Sequence, residues 1–78
     1  MATREELADD LARDVIAAME QTGDDRLWEL VSKEMGAASV TSQEAFVTAI
    51  RIRLADGRAR KFLEAHMAKI AAKAATPE

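Results

Sequence analysis

The chain has 78 residues, no cysteine, one histidine and a net charge of −3. That length sets one small domain over 1–78 with a modest core, and the missing cysteine excludes disulfides and thiolate metal sites. The charge is uneven: residues 1–50 hold eleven acids against four bases, and residues 51–78 hold seven bases against three acids.

The first expected helix spans residues 4–21. Thr3 and Glu6 have the capping-box spacing, and Glu5, Glu6, Asp9 and Asp10 suit the positive end of a helix dipole. Leu7, Leu11, Val15 and Ala18 recur at helical spacing, and Asp9, Asp10 and Asp14 lie within a turn of Arg13 and are expected to share it. Thr22-Gly23 is the stop. The second helix, 25–35, takes Asp24 as its cap and carries Leu27, Trp28, Leu30, Val31 and Met35 on its apolar side. Gly36 ends it, and residues 37–40 form a linker.

The third helix, 42–55, has another capping box in Thr41 and Glu44, with Val40 stapled on Ala45 and Asp56-Gly57 as its stop. Ile50-Arg51-Ile52-Arg53-Leu54 alternates as a strand would, but the upstream cap and the absence of a second strand favour helix. The fourth helix, 58–74, shows a stripe of Ala59, Phe62, Leu63, His66, Met67, Ile70 and Ala74. Residues 75–78 are expected to be a disordered tail. The fold class is therefore all-α, a small irregular four-helix bundle.

The third helix is apolar over more than half its circumference, through Ala45, Phe46, Val47, Ala49, Ile50, Ile52 and Leu54. An arc that wide is either central or covered by a second copy. Arg53 falls inside it. Its guanidinium either pairs with an acid of the first or second helix or acts as an anion ligand, because buried charges need partners. The run from Arg51 to Lys61 holds Arg51, Arg53, Arg58, Arg60 and Lys61. A helix start at Gly57, with its free backbone N–H groups, would let those bases hold a phosphate or carboxylate. The competing reading is a solvated helix start, neutralised by Asp56 and Glu64.

No enzymatic constellation is present. His66 lies on the apolar stripe away from Glu64 and is expected to be buried or at the core boundary, and H-E-x-x-H spacing is absent. Trp28 is expected as a core anchor, or as an interface anchor if exposed. A helix-turn-helix is disfavoured, since Arg53 occupies the position four before the turn glycine where a small residue belongs. Ser42 lacks the Asp-Ser-Leu context of a carrier protein.

Val40-Thr41-Ser42-Gln43, then Ala49-Ile50-Arg51, Leu54-Ala55 and Gly57-Arg58, resembles a segment of an uncharacterised family of small bacterial helical proteins. The resemblance covers residues 40–58. It implies a bacterial origin and a helical fold, and it carries over no functional residue.

The functional expectation is a non-enzymatic protein–protein interaction module or homodimer, with Phe46, Ile50, Ile52, Arg53 and Trp28 as the interface. The alternative is an anion- or nucleic-acid-binding domain using Arg51, Arg53, Arg58, Arg60 and Lys61; the overall negative charge disfavours nucleic acid. The expected partner is a second copy or another protein. No cofactor, metal or membrane is expected. The amino terminus is charged from Arg4 onward with no apolar run behind it, so neither a signal peptide nor a membrane span is expected, and a cytoplasmic setting follows.

Overall fold

A computed structural model describes residues 1–75, and most of the expected tail, residues 76–78, lies outside the described residues. The described residues form three helices: α1 (Arg4–Thr22), α2 (Leu27–Ala38) and α3 (Val40–Ala75). The all-α expectation holds, but the four-helix bundle does not. The expected third and fourth helices are one helix of 36 residues, which includes Ala75.

α1 begins as its sequence dictates. Thr3 Oγ1 accepts the Glu6 N–H at 3.0 Å, and the Glu6 carboxylate accepts the Thr3 N–H at 3.4 Å. Gly23 closes the helix at φ +73°, donating its N–H to the Met19 carbonyl at 2.8 Å. That left-handed conformation costs glycine little.

α2 starts two residues later than expected because Asp24 first organises a turn. Its carboxylate accepts the Arg26 N–H at 3.0 Å, and its carbonyl accepts the Leu27 N–H at 3.4 Å. Gly36 does not stop the helix. It sits inside α2, where a Cβ would fall 2.5 Å from the Gln43 amide nitrogen. The missing side chain leaves a slot through which Gln43 donates to the Ser32 carbonyl at 2.9 Å and to the Ser32 hydroxyl at 3.3 Å.

The corner into α3 is a single extended residue, Ser39, at φ −159° and ψ 112°. Its hydroxyl accepts the Ser42 N–H at 3.2 Å and its carbonyl accepts the Gln43 N–H at 3.0 Å. Ser39 therefore caps α3, not Thr41, which lies inside the first turn. Val40 is exposed and is the first residue of α3, inside the helix and not before its cap where a staple residue would sit. Gly57 does not stop α3 either. Gly23 alone among the glycines has positive φ, and the Arg60 guanidinium meets the Asp56 carboxylate at 2.8 Å across Gly57. Without a proline, one glycine costs a helix only about 1 kcal/mol, too little to break it among alanine, leucine, arginine and lysine.

The core lies between α1 and the first half of α3. Ala8, Ala12 and Val15 meet Phe46, Ala49 and Ile50, and α2 adds Leu27, Trp28, Val31 and Met35 around them. Beyond Asp56 neither α1 nor α2 covers α3. Phe62, Leu63, Met67 and Ile70 keep 72%, 56%, 53% and 48% of their surface. The molecule extends 63 × 28 × 17 Å, with a radius of gyration of 17.4 Å; a compact chain of this length would have about 11–12 Å. Residues 58–75 are thus an arm of roughly 27 Å at 1.5 Å per residue.

Candidate functional site

Arg53 pairs with α1, as one of its two expected outcomes required. Its Nε donates to Asp9 Oδ1 at 2.7 Å and its Nη2 to Oδ2 at 2.8 Å. This fork-to-fork geometry fixes the register of α1 on α3. The guanidinium's hydrogen bonds hold the Asp9 carboxyl below its ordinary value, against a smaller opposing effect of desolvation. Arg13 is left with Asp10 at 3.6 Å and Asp14 at 3.4 Å, so Asp9 does not share it as a close partner. Asp9 was identifiable from its position: it flanks Ala8 and Ala12 on the α1 core face, whereas Asp10 and Asp14 point outward.

Beside this pair, α1 and α3 leave an open groove of about 520 Å³. Arg4, Glu5 and Asp9 border it from α1 and Thr41 and Glu44 from α3, over a floor of Ala45, Thr48, Ala49 and Ile52. Glu44 and Thr48 lie outside the apolar arc of the expected third helix. The position of α1 along α3 turns them into one wall of the groove.

The expected interface residues separate. Phe46 and Ile50 are fully buried in the chain's own core, so the broad apolar arc is consumed by α1 and α2 and offers no face there to a partner. Trp28 is half-buried and packs on the same core, while Ile52 is 63% exposed at the groove.

The basic segment does not converge. At 100° per residue, Arg51 and Arg58 fall on one edge of α3, Arg53 and Arg60 on the opposite edge, and Lys61 between them on the back. Arg53 and Arg60 are engaged by Asp9 and Asp56. Because α3 is continuous, there is no helix start at Gly57 and no set of free N–H groups to hold an anion. His66 is exposed, contrary to expectation, and its ring stacks on Phe62 with centroids 5.9 Å apart. Among the described residues, no group of three His, Cys, Asp or Glu side chains is placed to hold a metal ion, and no helix is long and apolar enough to cross a membrane.

No family model matches the chain, and no solved structure matches it. It is similar to a protein of Variovorax paradoxus (strain S110) called "Probable Fe(2+)-trafficking protein", with 50% identity over 44 residues. The match covers 56% of this chain and 49% of that protein, so the chain spans about half the length of the curated relative it matches. The match overturns the functional expectation. A similar protein is named for iron trafficking, not for service as an interaction module or for anion or nucleic-acid binding. It also sharpens the resemblance to a family without assigned activity, because a functional name now stands beside it.

Proposed function

We propose that this chain takes part in Fe(2+) trafficking, with the ion as cargo and the protein as a carrier rather than a catalyst. The 50% identity over 44 residues with the Variovorax paradoxus protein carries this reading. The chemistry of the site is compatible with it. Fe(2+) accepts carboxylate and imidazole donors, and Glu5 and Glu44 bring two carboxylates to the groove beside Arg4 and the Arg53-bound Asp9. No three such side chains converge as a metal site among the described residues, so the expected binding is weak.

Anaerobic titration of the ¹⁵N-labelled chain with Fe(2+) tests the reading through paramagnetic broadening of backbone amides. Selective broadening around Glu5, Asp9 and Glu44 is expected, with a Kd of roughly 0.1–1 mM, equivalent to about 4–5.5 kcal/mol. Uniform broadening, or none at the highest of these concentrations, would end it.

A further inference from the structure

The arm and the groove lie on one face of α3. With His66 as the reference and 100° per residue, the arm stripe Phe62, Leu63, His66, Met67 and Ile70 occupies an arc of about 140°. The groove residues of the same helix (Thr41, Glu44, Ala45, Thr48, Ala49 and Ile52) fall in that same arc, and Ala55 and Ala59 lie between the two sets. This continuity exists only because α3 runs through Gly57.

We propose that a second copy of this chain covers the arm, with the two α3 helices antiparallel and crossing at Ala55 and Ala59. A two-fold axis at the level of Gly57 sets Phe62 of one copy over Ile52 of the other. It sets His66 at Thr48, Ile70 at Glu44 and Ala45, and Lys73 at Thr41. Small side chains at the crossing let the helices approach, and each arm enters the groove of its mate. The contact is isologous and therefore closes at two.

Two quantities favour a second copy over other occupants. The first is charge. Residues 55–75 carry five bases against two acids, and residues 1–54 carry eleven acids against six bases. Arm against arm would repel, whereas arm on body brings Lys69 and Lys73 to the groove where Glu5 and Glu44 outnumber Arg4, Asp9 being engaged by Arg53. The second is area. The accessible surface is 6294 Å², against about 4,650 Å² for a compact monomer of 8.5 kDa. The excess of about 1,600 Å² per copy lies within what stable dimers bury.

Sedimentation equilibrium of the full chain without metal tests this, independently of the iron reading. A mass of twice 8.5 kDa is expected. Phe62→Glu and Ile70→Glu should each return the mass to one chain while circular dichroism shows the body still folded, since both residues lie outside the monomer core. Lys69→Glu with Lys73→Glu should weaken association at least about tenfold. Adding Glu5→Lys and Glu44→Lys to the same chain should restore it, and Lys61→Glu on the back face should change nothing. A single-chain mass at high concentration, an open-ended series of oligomers, failure of the charge-swap rescue, or an arm that binds anionic vesicles while the protein stays monomeric would each overturn the proposal.

Discussion

At the scale of single residues, this fold rests on a few polar contacts whose partners are specific. The Arg53–Asp9 fork joins positions 44 residues apart. The folded-state pKa of Asp9 lies below its ordinary value of 3.8, chiefly through the Arg53 hydrogen bonds. Its contribution to stability is therefore complete above that value and lost as pH falls through the depressed one. Glu29, lowered by its hydrogen bonds to Arg26, acts in the same direction. Urea denaturation from pH 6 to 2 should show Asp9→Asn flattening the loss of stability below about pH 4. A parallel slope in the variant and the parent would mean the pair carries no linkage. Gly36 makes a second residue-level case. A methyl group there drives Gln43 off Ser32, whose side chain is buried. Losing those hydrogen bonds costs about 1–3 kcal/mol, more than the gain in helix propensity of up to about 1 kcal/mol. Gly36→Ala should thus lower the thermal midpoint, where the same change at an ordinary helical glycine raises it.

At the scale of elements, α3 shows which signals in the sequence were decisive and which were not. The start and stop of α1 were legible because Thr3, Glu6 and Gly23 each act through a local hydrogen bond with its neighbours. Asp56-Gly57 resembled the same kind of stop but lacks what makes a glycine terminate a helix, a left-handed backbone. Ser39 was passed over because Thr41 and Glu44 also fit the capping spacing, and only the corner geometry chooses between them. His66 was expected inside because its stripe is apolar, yet the pattern says that a face seeks cover and not where the cover comes from. The iron reading had no trace in the residue pattern, since the chain has no cysteine, one histidine and no H-E-x-x-H spacing. Gly57 supplies the direct check of helix continuity. Its Cβ position is open, so Gly57→Ala should stabilise by about 0.5–1 kcal/mol in chemical denaturation. A loss of stability would show that Gly57 ends the helix after all.

At the scale of the whole molecule, little interior supports a long outline. Among the described residues, the largest fully buried side chains are Phe46 and Ile50. Phe46→Ala should cost about 3–5 kcal/mol, a large part of the roughly 4–12 kcal/mol that a chain of this size has. The thermal midpoint by circular dichroism should fall by roughly 10–40 °C; a midpoint within a few degrees of the parent's would place the core elsewhere. The charge asymmetry also resolves at this scale. The body carries eleven acids against six bases and the arm five bases against two acids, and among the described residues Arg53–Asp9 is the ion pair across the α1–α3 interface.

The continuity of α3 makes it a ruler of local opening. Its first half shares the fate of the core, while its second half holds itself up on alanine content and its own i,i+4 bonds, which leaves an isolated stretch of this length marginal in water. In the monomer at low concentration, amide exchange should therefore fall into two regimes along a single unbroken rod. Amides near Phe46 and Ile50 should open only with global unfolding, and amides near Lys69 by fraying, many orders of magnitude faster. Any molecule that lies along the arm must erase that gradient. The exchange rate at Lys69, followed against concentration, then reads how much of the arm is occupied without knowledge of the occupant.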